Sequence, residues 1–141
     1  MEITGIKDQI CDVCHKMWQL GWVAANDGNV SVRLDDGTYL ATPTGMSKSF
    51  ITSDKLLRID AAGNVLEGSE GLRPSSEIKM HLRCYEKRED VCAVVHAHPP
   101  AATGFAVAPA GPGRTPLFPA IGRRVPASEP RRSRSPAGTR R

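Results

Sequence analysis

The sequence lacks any apolar run long enough to span a bilayer, and it has no secretory signal with an apolar centre. We therefore expect a soluble, cytoplasmic protein with no membrane partner. Cysteine is sparse, with four residues in 141, and in that compartment we expect the cysteines to be reduced thiols. A chain of this length can bury a core without disulfides or a structural metal, so neither is needed for folding.

Acidic residues and periodic apolar residues are both nearly missing from the end of the chain. Residues 1–108 carry 11 Lys and Arg against 14 Asp and Glu, whereas residues 109–141 carry eight Arg, one Glu and no Lys. Seven of the eleven prolines also lie in the second segment. Such a composition buries too little apolar surface to fold. We expect one domain over residues 1–108 and a disordered Arg/Pro-rich tail over residues 109–141.

Two interpretations of this tail remain open. Its residue types share codons rich in G and C, which favours an out-of-frame product of a GC-rich gene in place of the true second half of the protein. Arginine runs such as 131–134 also neutralise phosphates, so the tail could instead be a basic arm for nucleic acid or a membrane surface. Because these runs are not interleaved with aromatic residues, we favour the frame error and expect no nucleic-acid partner.

Two helices are predicted within residues 1–108. Apolar residues recur every three or four positions from Ile3 to Leu20, which indicates an amphipathic helix that ends at Gly21. This stretch contains the haem-attachment spacing C-x-x-C-H at residues 11–15, which we interpret as a chance match on a core helix. The second helix is predicted to open at residues 74–77 and to continue to about Lys87.

The remaining segments are predicted strands. The β-prone runs 28–34 and 38–42 flank an Asp-Gly turn, and the runs 56–59 and 65–66 flank a Gly-Asn turn. Each pair predicts a β-hairpin. The apolar run 91–95 follows the second helix and predicts a further strand. Together these segments favour an α/β domain with a mostly antiparallel sheet.

His96 and His98 lie at the end of the last predicted strand, which is expected to carry both of them. Alternate side chains of a strand project from one face, so the two imidazoles should lie close enough to bind a single metal ion. An imidazole pair suits Zn²⁺, with Mn²⁺ or Co²⁺ as alternative divalent cations. Tetrahedral zinc needs further ligands, so this pair is half of a metal site.

Four segments in register resemble the class II aldolase and adducin family. They are Gly28-Asn29-Val30-Ser31, Thr42-Pro43-Thr44-Gly45, Pro74-Ser75-Ser76-Glu77 and His96-Ala97-His98-Pro99. The resemblance covers roughly residues 5–108 and implies a three-layer α/β/α fold around a mainly antiparallel sheet, incomplete in its C-terminal half. It also implies cleavage of a sugar phosphate such as fuculose phosphate by retro-aldol chemistry. Full-length family members are expected to be homotetramers, but this chain lacks the subunit contacts.

The resemblance also implies roles for individual residues. Glu77 would coordinate Zn²⁺ with His96 and His98, and it would be the catalytic residue that exchanges protons with the substrate. Lys48 could add charge near the phosphate. The residues expected to bind the substrate phosphate are Gly28, Asn29, Thr44, Gly45, Ser75 and Ser76. Singly, such residues are more often turns, helix caps or core histidines, but a helix N-terminus with flanking glycine loops is suited to an anion.

One departure from the family bears on activity. The family has a third metal histidine about half a domain after the His-x-His pair, and this sequence has no histidine after His98. His81 lies four residues after Glu77, where we expect a buried hydrogen-bonding role. We therefore expect the chain as written to be a weak or inactive aldolase.

Other functions within and beyond the enzyme class remain open. Family members that act as ribulose phosphate 4-epimerases tend to have Asp at the position of Glu77, which favours the aldolase. A sugar-phosphate dehydratase would keep the same site. A non-enzymatic, adducin-like interaction module is disfavoured, because a scaffold has no need to hold Glu77, His96 and His98 together.

Overall fold

The computed structural model describes residues 2–108 of the chain. Its internal contacts divide the chain into two units, Met1–Gly104 and Phe105–Arg141, and the sheet lies wholly in the first. The predicted tail, residues 109–141, lies outside the described residues. Within residues 2–108, no helix has the length and apolar character needed to cross a membrane.

A five-stranded antiparallel sheet forms the centre of the first unit. The strands are β1 Asn29–Arg33, β2 Tyr39–Ala41, β3 Leu57–Ile59, β4 Val65–Glu67 and β5 Ala93–His96. Their order across the sheet is β4-β3-β2-β1-β5, and all neighbours pair antiparallel. Both predicted hairpins are confirmed, and β5 pairs with β1 rather than with the strand before it in sequence.

Residues 2–108 also form three α-helices. They are α1 Ile3–Gln19, α2 Ile78–Lys87 and α3 Pro100–Val107, and two short 3-10 turns, Lys48–Phe50 and Ser53–Lys55, connect β2 to β3. The first two helices match the predicted ones. α3 is not among the elements predicted from the sequence, although proline at the first position of a helix is a common start signal.

The helices α1 and α2 pack on opposite faces of the sheet. Along β1 and β2, Val30 and Leu40 face α1 and join its buried apolar residues, including Ile10. The alternate residues Tyr39 and Ala41 belong to a second buried cluster on the α2 face. The period of two along a strand therefore produces the predicted three-layer α/β/α arrangement.

The register between β1 and β5 sets the position of the histidines. Asn29 lies opposite His96, and Ser31 lies opposite Val94. Directly opposite residues of an antiparallel pair share a face, so His96 joins Asn29 and Ser31 on the α2 face. The strand was expected to carry both histidines, but β5 ends at His96, and the backbone N–H of His98 donates to the Trp22 carbonyl at 2.8 Å.

Candidate active site

Glu77, His96 and His98 meet where β5 ends and α2 begins. Glu77 Oε2 lies 3.0 Å from His96 Nδ1, and His96 Nε2 lies 3.2 Å from His98 Nε2. Two nitrogens bound to one tetrahedral Zn²⁺ at about 2.0–2.1 Å are about 3.3–3.4 Å apart. The two Nε2 atoms thus have nearly the separation that a shared zinc ion requires.

Glu77 contacts the other nitrogen of His96, across the ring from His98. A carboxylate that accepts the Nδ1–H of a histidine leaves Nε2 free as a metal ligand, and metal-binding histidines commonly have such a partner. No group of three or more His, Cys, Asp or Glu side chains among residues 2–108 is arranged to hold a metal. The histidine pair fits a metal ion, whereas direct ligation by Glu77 stays a prediction.

Asn29 connects the candidate metal ligands to the start of α2. Its Nδ2 donates to Glu77 Oε2 at 2.5 Å and lies 3.4 Å from Ser75 Oγ and 3.5 Å from His96 Nδ1. The side chain is buried, and its Oδ1 has no hydrogen-bond partner among the described residues. A buried oxygen without a hydrogen-bond donor is costly. Asn29 Oδ1 is therefore suited to accept a hydrogen bond from a hydroxyl group of a bound ligand or from a water molecule.

The charge state of Glu77 follows from these contacts. Partial burial raises the pKa of Glu77. The hydrogen bond from Asn29 and the neighbouring His96 together lower the pKa by more than burial raises it, so it lies below its ordinary value. The carboxylate is therefore ionised at neutral pH and can accept a proton.

Four of the predicted phosphate-binding residues lie on two adjoining segments: Thr44 and Gly45 on one, Ser75 and Ser76 on the other. Ser75 Oγ accepts from the Glu77 N–H at 3.3 Å, and Ser76 is exposed beside it. The backbone N–H of Thr44 donates to the Arg73 carbonyl at 2.8 Å, which joins the 42–45 loop to the segment that leads into α2. The structure thus brings the loop of Thr44 and Gly45 next to the segment that leads to Ser75 and Ser76.

Gly28 is required by close packing as well as by its backbone conformation. Its φ is +71°, and an added Cβ would lie 2.5 Å from Val23 Cγ1 and 2.8 Å from the His96 carbonyl oxygen. By contrast, Gly45 has φ +72° and open space around it. The Gly28 loop therefore rests directly against the strand that carries His96.

A buried hydrogen-bonded column extends from the site along α2. Tyr85 donates to the Ser31 carbonyl at 2.9 Å, so its hydroxyl oxygen can accept from Ser31 Oγ at 2.8 Å, and Ser31 Oγ in turn accepts from His81 Nδ1 at 2.7 Å. With the hydrogen on Nδ1, His81 Nε2 carries only a lone pair and can only accept a hydrogen bond. That atom is buried without a partner among the described residues. Burial lowers the pKa of His81 to about 4.

The buried, hydrogen-bonding role predicted for His81 is observed, whereas a polar role for Ser31 and Tyr85 was not predicted. The signal was present as two matching periods. Glu77 at the N-cap of α2 is followed at four-residue intervals by His81 and Tyr85 within the helix. Asn29 and Ser31 alternate on β1, so each series projects from one face.

The fold and the site together define an α/β domain with a His-x-His pair and Glu77 beside a helix N-terminus. The family model for the Class II Aldolase and Adducin N-terminal domain matches residues 8–134. This chain belongs to that family. The match runs past residue 108, where the resemblance was expected to end, into a segment outside the described residues.

Individual relatives agree with this assignment. The chain is 39% identical over 92 residues to the L-fuculose phosphate aldolase of Methanocaldococcus jannaschii, covering 65% of this chain and 48% of that protein. It is 42% identical over 89 residues to the methylthioribulose-1-phosphate dehydratase of Granulibacter bethesdensis, covering 63% and 41%. The crystal structure of l-fuculose-1-phosphate aldolase from Thermus thermophilus aligns with a TM-score of 0.60 at 30% identity over 72% of this chain and 50% of that one. The chain spans about half the length of the relatives it matches.

Proposed function

We propose that this chain supplies the metal-binding and phosphate-binding half of an aldolase-type lyase. The substrate would be a ketose phosphate resembling fuculose phosphate, and the cofactor would be Zn²⁺ or another divalent cation. The observation that carries the proposal is the convergence of Glu77, His96 and His98 beside the buried Asn29. The fuculose phosphate aldolases among the relatives support this substrate class.

Each residue would have a definite task. A bound Zn²⁺ would supply Lewis-acid stabilisation of the negative charge that develops as the carbon–carbon bond breaks. His96 and His98 would hold the ion through Nε2. Glu77 Oε2 would take the proton from the hydroxyl that becomes the aldehyde and return it to the other fragment, while Asn29 holds the carboxylate in place. Ser75, Ser76 and the two glycine loops would bind the phosphate.

A second candidate reaction is dehydration of a sugar phosphate. It is favoured by the 42% identity to the methylthioribulose-1-phosphate dehydratase. The two reactions give different products, because the aldolase yields two smaller carbonyl compounds whereas the dehydratase yields one compound that keeps every carbon atom.

Zinc content of the purified 141-residue chain tests the proposal first. After equilibration with Zn²⁺ and removal of unbound metal, we expect about one ion per chain by elemental analysis. His96→Ala should lose it. The matched control is His15→Ala. His15 lies on α1, and its Nε2 contacts the Ile51 carbonyl at 2.9 Å, away from the site. Equal zinc in wild type and His96→Ala would refute the assignment.

Product analysis then separates the reactions. Zinc-loaded protein is incubated with L-fuculose 1-phosphate or with methylthioribulose 1-phosphate, and Glu77→Gln serves as the matched inactive variant. Because the sequence has no histidine after His98, we expect cleavage to be slow, and it should vanish in Glu77→Gln. Carbon–carbon cleavage that persists in that variant would remove Glu77 from the catalytic role.

A further inference from the structure

Lys48 is a buried cation that links two loops of the proposed phosphate site. Only 1% of the residue is exposed, and its Nζ donates to the Met46 carbonyl at 3.0 Å and to the Asn26 carbonyl at 3.4 Å. Met46 directly follows Gly45, and Asn26 lies two residues before Gly28. One ammonium group therefore joins both glycine loops.

The ammonium group of Lys48 is in contact with no anion among residues 2–108, and the charge of Asp27 acts on it from beyond ion-pair distance. Both hydrogen-bond acceptors are neutral carbonyls, and none of the ion pairs formed within residues 2–108 includes Lys48. Burial lowers the pKa of Lys48 below its ordinary value. A buried charge that contacts no anion is costly, and the cost falls when an anion binds nearby.

The surroundings of this charge favour an anion at one place. Gly28 and Gly45 both have positive φ, and Asn29 and Thr44 are their neighbours in sequence. The open space around Gly45 leaves room for a ligand, whereas the ammonium group itself is covered. The cation therefore acts on the site through its electric field and through the two carbonyls, and it does not need to touch the ligand.

We propose that Lys48 is a positioning residue that makes the open space beside Gly45 selective for a phosphate monoester over a neutral sugar. This inference rests on the proposed function, since it names how the same site recognises its anion. The uncharged donors in the loops can bind neutral hydroxyls as well, whereas a buried positive charge discriminates by charge.

One substitution and a matched control separate the effect of the Lys48 charge from that of its hydrogen bonds to the two loops. Lys48→Gln keeps an N–H donor for the carbonyls but removes the charge. Lys55→Gln is the matched control, because Lys55 lies on the next 3-10 turn, is partly exposed and pairs with Asp54 at 3.0 Å. The probe is inorganic phosphate, titrated into the full chain by calorimetry. We expect Lys48→Gln to keep a wild-type melting temperature and to bind phosphate about tenfold more weakly, while Lys55→Gln binds as wild type.

A measurement on the wild-type chain covers the case in which Lys48→Gln fails to fold. Phosphate should shift the side-chain NMR resonances at Nζ and Cε of Lys48 and leave those of Lys55 in place. The inference is overturned if folded Lys48→Gln binds phosphate normally, if Lys55→Gln weakens binding equally, or if the Lys48 resonances do not move.

Zinc binding tests the proposed function, and phosphate binding tests the inference on Lys48, so the failure of one can be told from the failure of the other. A chain that binds zinc through His96 but shows no phosphate binding keeps the proposed metal site and loses the inference on Lys48. A chain with Lys48-dependent phosphate binding but no zinc keeps the inference and loses the metal-dependent function.

Discussion

The two faces of the sheet differ in chemical character. On the α1 face the buried side chains are mainly apolar, and α1 covers them with Ile10, Cys14 and Met17, while the buried Lys48 lies near Cys14. On the α2 face the apolar cluster shares the layer with a polar column that contains Ser31 and His81. The comparison indicates that one face mainly stabilises the fold, whereas the other holds the polar groups that build the site.

The difference originates in one strand. In β1, Val30 and Val32 face α1, whereas Asn29 and Ser31 face α2. A slip of one residue in the pairing would exchange the two sets and place polar side chains against α1. Register, fixed by the pairs Asn29–His96 and Ser31–Val94, therefore determines both the core and the site.

The comparison predicts its largest effect on the α1 face. Leu40 is fully buried there, so Leu40→Ala leaves a cavity and should lower the free energy of unfolding by about 2–5 kcal/mol. Urea denaturation measures the change, with Leu66→Ala at a half-exposed position as the control, expected within about 0.5 kcal/mol. Equal losses at the two positions would contradict a core on this face.

The α2 face should instead respond to pH. Folded His81 stays neutral until its pKa of about 4, whereas unfolded histidine takes a proton near 6.5, so acidification below 6.5 favours the unfolded chain. This group alone should cost about 2 kcal/mol of stability between pH 7 and pH 5. His81→Asn keeps a donor toward Ser31 but has no such titration. Denaturation of both proteins at each pH tests this, and identical pH dependence would argue against a buried neutral His81.

The smallest expected effect is the difference in stability between two glycine substitutions at the site. Gly28→Ala and Gly45→Ala both place alanine at positive φ, which costs about 1–2 kcal/mol. Only Gly28→Ala also meets Val23 and the His96 carbonyl, so it should be about 1 kcal/mol worse and should reduce zinc content. Thermal unfolding and elemental analysis compare the pair, and indistinguishable results would show that the Gly28 loop does not support His96.

Much of the fold was predictable because it depends on local patterns. The period of α1 and the turns of both hairpins predicted elements close to those observed. The limits of β5 were not predictable, since its end at His96 depends on pairing with Asn29, which lies 67 residues earlier. α3 was missed because its eight residues carry no amphipathic period.

The sequence by itself determined which functional groups are available. They are a His-x-His pair, Glu77 and two glycine loops, in the order typical of the class II aldolase and adducin family. Only the tertiary structure decided which atoms meet. It put Glu77 on Nδ1 of His96 and His98 on Nε2, and it buried Lys48 against the carbonyl of a residue that lies 22 positions earlier in sequence. Local pattern fixes secondary structure and chemistry, but contacts between distant residues depend on strand register and helix packing, which exist only once the chain has folded.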